Sequence, residues 1–288
     1  MILTLFFPLL IMTWILLQNV EQAVRLQAVN VLKTVLASNH TSIRDVWLNE
    51  RLSEVEVWAS NPDILQSTKK LIAIRDDPEK LRSSPELKKI RSYFKERLAG
   101  HNDFDMFIIS PDYVNLASMY DVTLGEVNMV SLQKRQLLDE VFTGKVKITG
   151  LMVSDILLPG LTGEMEHGWP TMFVLYPMKD KSGSVISALS IRIDPIEKLS
   201  KLMQIGFVGS SGESYLVDSE GRMISNSRFS ETLQQLKLIE KNQTSVLNLE
   251  IRDPGGDLTA GYKPLLPRHE LPFTYMAKNI IFGKSGST

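Results

Sequence analysis

Few residue groups in this sequence are spaced for chemistry. The four histidines, His40, His101, His167 and His269, stand alone, with no second histidine at the i+4 spacing that places two ring nitrogens on one metal. Ser211, in GSSGES, lacks the G-x-S-x-G pattern that exposes a nucleophilic serine on a strained turn, and reads as turn chemistry. FGKS at 282–285 echoes the end of a phosphate loop, but Lys278 occupies the position of the first required glycine. Asp218 and Glu220 lack the third oxygen donor and distal glutamate of a calcium loop. Asn39-His-Thr41 and Asn242-Gln-Thr244 fit a glycosylation pattern that is frequent by chance. No carboxylate pair is singled out, so the sequence predicts no catalytic residue, no metal site and no cofactor.

The elements that would carry any site come next. The chain has 288 residues, 43% hydrophobic and 23% charged, which suits one large or two small folded domains. A net charge of −1 gives no electrostatic reason to expect a nucleic-acid partner. The absence of cysteine removes disulfides and thiol chemistry. Ile2 to Leu17 (ILTLFFPLLIMTWILL) is uncharged and spans ~24 Å as a helix, slightly short of a bilayer core. It reads as an uncleaved anchor over residues 1–18. A cleaved signal peptide and a buried core helix are the competing readings. No basic residue precedes it, and the first is Arg25, so the expectation is an incomplete anchor on a fragment.

From Asn19 to Ala59 apolar residues recur three and four apart, predicting a long stalk helix that SNHTS at 38–42 would interrupt. Helices near 63–75 and 85–98 follow, the latter with Pro85 at its start and Gly100 past its end. From Phe104 the texture changes. FDMFIIS, VNLASMY, ITGLMVSD, TMFVLYPM and SVISALSIRI read as strands, with a helix at SLQKRQLLDEVFTGK capped by Ser131 and stopped at Gly144.

A second set begins near 195. It has a helix to 204, the hairpin GESYLVDSEGRMISNSRF at 212–229, a helix near 230–241, then VLNLEIR, LTAGYKPL and LPFTYMAK as further strands. FIISPDYVNLAS and YLVDSEGRMISN share the pattern of two aliphatic runs around a polar turn. The fold class is therefore α+β. A long N-terminal helix precedes two tandem modules, each a roughly five-stranded antiparallel sheet with flanking helices.

Three stretches carry a family resemblance in the right order: WLNERLSEVEVWASNPDI (47–64), TMFVLYPMKDKSGSVISALSIRIDPI (171–196) and GxxGxxGESYLVDSEGRMISNSRF from Gly206. Over residues 19–278 the chain resembles the double Cache (tandem PAS-like) extracytoplasmic sensor domain of bacterial membrane receptors. The resemblance implies a stalk with following helices over 19–100, a membrane-distal module at 101–194, a membrane-proximal module at 195–278 and a tail at 279–288. It also implies a small-molecule ligand in the distal module, a homodimer through the N-terminal helix, and a place in the inner membrane with the sensor facing the periplasm or cell exterior. Such domains feed histidine kinases, the expected parent here, or chemoreceptors and diguanylate cyclases. A membrane-anchored hydrolase and a structural adaptor are the readings from other classes.

The family's amino-acid signature survives at one position in five. Its arginine falls on Arg135, while its tyrosine falls on Val130, its aromatic pair on Leu137 and Leu138, and its aspartate on Pro159, before Thr162-Gly163. Arg135 could grip a carboxylate in a bidentate pair, against the plainer reading of a solvated helix residue in QKRQ. With no aspartate for the ammonium group, the expected ligand is not a canonical α-amino acid. By the same resemblance Asp155, Trp169, Thr171 and Phe173 line the pocket, and Tyr120 and Asp121 close it.

Overall fold

The computed structural model describes residues 3–101, 105–159, 164–204, 209 and 211–284. Helix α1 (Leu3–Thr41) passes without interruption into a π-helical stretch, Ser42–Leu48, and then into α2 (Asn49–Ala59). The predicted break at 38–42 is thus a change of helical winding. Thr41 and Leu48 keep right-handed helical dihedrals, so the chain axis continues. The anchor expected over 1–18 lies partly outside the described residues. Among the described residues no helix is long and apolar enough to cross a membrane.

The next helices begin where the sequence supplies caps. Asn61 accepts from the Asp63 and Ile64 amides and starts α3 (Pro62–Ile72) with proline in its first turn. Asp77 does the same for α4 (Pro78–Ser83), and Ser84 accepts from Glu86 N at the start of α5 (Pro85–His101).

Strands β1 (Asp105–Ile109) and β2 (Asn115–Ser118) lead to α6 (Met129–Phe142). The cap of α6 is Asn128 rather than Ser131. Its side chain accepts from Val130 N and donates to Asn115 Oδ1, so the cap also ties the helix to β2. Lys134 breaks the helical dihedrals inside α6, and its ammonium donates to the carbonyls of Thr149 and Leu151. Short strands β3 (Lys147–Ile148), β4 (Met152–Val153), β5 (Leu158–Pro159) and β6 (Met165–Glu166) precede the long pair β7 (Pro170–Lys179) and β8 (Val185–Ile193).

The sheet is antiparallel in the order β2-β1-β8-β7-β3, with β4 also paired to β7. Both faces are covered, which is why β1 and β8 are buried almost throughout. Met106, Ile108, Val174, Leu189 and Ile191 pack on Trp58, Leu71, Ile90 and Phe94 of α2, α3 and α5. The opposite face sets Phe107, Ile109, Phe173 and Leu175 against Met129, Val130, Leu138 and Val141 of α6. This is the α+β arrangement of a long helix and an antiparallel sheet with flanking helices.

Helix α7 (Pro195–Met203) connects to residues 211–284. There strand pairing runs bridge by bridge. Val217 pairs with Met223, Arg222 with Glu250, and Arg252 with Phe273. The hairpin closes through Asp218 N on Arg222 O and Ile224 N on Leu216 O, with Gly221 at φ +80° in its turn. A small core of Met223, Ile239 and Leu249 sits beneath α8 (Ser230–Gln235).

Among described residues 211–284 none of the five predicted strands extends beyond isolated bridges, VLNLEIR turning at 246–248, and the last two take other forms. LTAGYKPL turns at 258–261 because the Asp257 carboxylate captures the amides of Thr259 and Ala260. LPFTYMAK divides at Thr274, whose hydroxyl caps α9 (Tyr275–Ile281) by accepting from Ala277 N.

Candidate functional site

The α6-facing side of the sheet is apolar at Phe107, Ile109 and Leu175 and polar toward its other end. Side chains two apart on a strand share a face. Asp105 and Phe107 on β1, Ser190 and Arg192 on β8, and Thr171 and Phe173 on β7 therefore project together. Register confirms it, with Arg192 opposite both Asp105 and Phe173.

Arg192 is fully buried. Its guanidinium donates to Asp155 Oδ1 at 2.8 Å and to Ser154 Oγ at 2.8 Å, both just after β4. The same group lies 5.3 Å from the Phe107 ring centre and 5.0 Å from that of Phe173, so aromatic faces supply the rest of its surroundings. Met129 Sδ at the start of α6 closes the remaining side.

Asp105 is the second buried charge. It accepts from the amides of Met106 and Met119 and from the Ser118 hydroxyl. Burial pushes its pKa up to about 6, opposed by the charge of Arg192 and by these hydrogen bonds. Tyr120, two residues past the end of β2, is also raised. Burial is the main cause and Asp105 adds to it, which places the phenol within the field of the same cluster.

Four buried polar atoms around this face have no hydrogen-bond partner among the described residues: Arg192 Nε, Thr171 Oγ1, Ser190 Oγ and Trp169 Nε1. An unsatisfied buried polar atom costs about 1–3 kcal/mol, so several on one face are a poor solution for packing alone. They suit recognition of a small polar molecule. One guanidinium faces two carboxylates. Of these Asp155 is partly solvent-accessible, with its side chain about a third exposed.

The sequence-predicted residues divide into two groups. Asp155, Thr171 and Phe173 stand in or beside the Arg192 cluster. Trp169 borders it through its carbonyl, which accepts from Ser154 N, and Tyr120 through its coupling to Asp105. Arg135 is exposed on α6, 4.0 Å from Asp139 and over the Tyr113 ring. Asp121 pairs with Arg91 at 2.7 Å, which directs it toward the N-terminal helices. Thr162-Gly163 lies outside the described residues.

Sequence reasoning missed Arg192, Asp105, Ser154 and Ser190. The available signal was a lone charge inside each of two apolar strands, FDMFII and ALSIRI.

No protein-family model matches the chain, and no curated protein sequence matches it. Solved structures do. The ligand-binding domain of the Pseudomonas aeruginosa amino-acid chemoreceptor PctC, in complex with GABA, is 16% identical, with 68% of this chain and 74% of that one covered and a TM-score of 0.46. The sensor domain of the V. cholerae histidine kinase DctB is 15% identical, with 80% of each chain covered and a TM-score of 0.39. A domain of a putative sensory box/GGDEF family protein from Vibrio parahaemolyticus is 14% identical, with 74% and 78% covered and a TM-score of 0.41.

Proposed function

We propose that this chain is the extracytoplasmic ligand-sensing part of a bacterial signalling receptor, anchored by its N-terminal helix and feeding a histidine kinase. The ligand is a small molecule carrying an amine or quaternary ammonium group and is not a canonical α-amino acid. The observation that carries this reading is the buried face around Arg192, where two carboxylates flank one guanidinium and several polar atoms await partners. A cationic ligand group approaching Asp155 completes the charge balance. The Thr171 and Ser190 hydroxyls and the Trp169 indole N–H orient the remainder, with Tyr120 at the entrance. Arg135 and Asp121, held by Asp139 and Arg91, take no part in it.

In this reading residues 101–194 form the distal sensing module and 195–278 the proximal one. The anchor over 1–18 holds the protein in the inner membrane with both modules outside. Two copies pair through α1, whose Val20, Val24, Val31 and Leu32 are exposed along its length. A ligand changes output only by its different affinity for two arrangements. The continuous helix from α1 to α2, packed by Val55 and Trp58 against the sensing sheet, is a rigid carrier for that difference.

Calorimetric titration of the chain in phosphatidylcholine nanodiscs with choline, ethanolamine and putrescine tests the reading. It predicts saturable binding of at least one of them that is lost in Asp155→Asn. Binding of L-alanine or L-valine in place of every amine would overturn it.

A further inference from the structure

A cleft lies far along the chain, between α8, the 249–252 segment and the 254–271 loop. Its volume is about 660 Å³. Leu233, Leu236, Leu249, Leu271 and the Tyr262 ring give it apolar walls. Its charged lining is one-sided: Lys237, Arg252, Lys263 and Arg268 face a single carboxylate, Glu250.

The two arginines are held close together by the protein's own bonds. Arg252 Nε donates to Glu250 Oε2 at 2.5 Å, and another of its nitrogens donates to Leu271 O. Arg268 donates to Leu238 O and, at 3.5 Å, to the main-chain oxygen of Glu250. Thus the one carboxylate is bonded to Arg252 alone, and the acceptors of Arg268 are neutral carbonyls. Burial draws Arg268 below the usual arginine range; Glu250 opposes that and the like charge of Arg252 adds to it. Cations gathered on an apolar wall with too few acids are matched by an anion whose body is apolar.

We propose that this cleft is a binding site for a small amphipathic anion, a single carboxylate on an aryl or short alkyl body. The carboxylate bridges Arg252 and Arg268, and the body lies on the leucines and Tyr262. The site is separate from the Arg192 cluster and does not depend on the sensor reading.

The test is calorimetric titration of the full chain in phosphatidylcholine nanodiscs with 4-phenylbutyrate, using 4-phenylbutanamide as the neutral comparison and empty nanodiscs as the blank. The expected result is saturable carboxylate binding at least about tenfold tighter than the amide, weakened to a similar degree by Arg252→Gln. Because Arg252 also braces the fold, Glu250→Gln supplies the independent check. It removes the competing carboxylate and should tighten 4-phenylbutyrate binding several-fold, a gain that misfolding does not produce. No binding of 4-phenylbutyrate, equal binding of acid and amide, or weaker binding to Glu250→Gln would each overturn the proposal.

Discussion

Arg192 Nη2 donates to Asp155 Oδ1 at 2.8 Å, joining the middle of a buried sheet to a partly exposed loop carboxylate. On its own strand Arg192 has only apolar or hydroxyl neighbours, and the register sets it opposite Asp105 on one side and Phe173 on the other. A cation in that position is costly to desolvate and is tolerated because several partners converge on it. Its removal is therefore felt both in folding and in whatever the exposed end of the pair contacts.

The two arginines singled out by sequence and by structure should behave very differently. Arg192→Ala leaves Asp105 and Asp155 without their cation and should cost about 3–5 kcal/mol. Arg135→Ala removes an exposed pair 4.0 Å long and should cost less than about 1 kcal/mol. Urea unfolding of the two variants against the parent chain checks this, and equal losses would show that the buried pair does not hold the sheet.

Asp105 should give the protein an acid-stabilised component. Its folded pKa of about 6 lies above the ordinary 3.8, so the folded state binds more protons than the unfolded chain between those values. Stability from this group is fully present below 3.8 and is lost as pH rises through about 6. The whole loss is on the order of 3 kcal/mol. Half-buried acids such as Glu86 and Asp180, lowered chiefly by side-chain hydrogen bonds from Lys70 and Ser182, act with the opposite sign. The informative quantity is thus the difference between parent and Asp105→Asn. Melting temperatures taken across this window should show the parent losing stability relative to the variant as pH rises. Parallel profiles would contradict the raised pKa.

Gly221 is the pivot of the hairpin at residues 216–224. At φ +80° an alanine is strained, and its Cβ would come within 2.4 Å of the Phe273 ring. Gly221→Ala should therefore destabilise the chain by about 1–3 kcal/mol. Chemical denaturation measures it, and a neutral result would mean that residues 217–223 do not pack against Phe273.

The helix α5 and the strands β1, β2, β7 and β8 were legible because their signals are local, whereas ITGLMVSD, read as one strand, divides into β3 and β4. Pro85 opens a helix, and TMFVLYPM and SVISALSIRI are long apolar runs of the kind that a sheet covered on both faces requires. The α6 cap was misplaced by three residues because Ser131 and Asn128 are both good caps. Asn128 prevails through its second bond to Asn115, a tertiary contact. Beyond residue 250 the readings weaken for the same reason: Asp257 and Thr274 redirect short apolar stretches by side-chain bonds that alternation does not register. At the candidate site, Thr171 and Phe173 lie on β7 and Asp155 just after β4, positions that a reading of the strands alone could name. Arg192 escaped because its significance depends on Asp105, a distant residue that only the register brings opposite.

The central claim is that the Arg192–Asp155 face binds a small amine-bearing ligand. Its most direct test is thermal unfolding of the nanodisc-bound chain with saturating choline, ethanolamine or putrescine, in parent and Asp155→Asn. A ligand at about 100 times its dissociation constant stabilises its folded host by roughly 2.7 kcal/mol. The account predicts a clear upward shift in melting temperature with at least one amine in the parent and none in the variant. An equal shift in both proteins, or a shift produced only by L-alanine or L-valine, would contradict it.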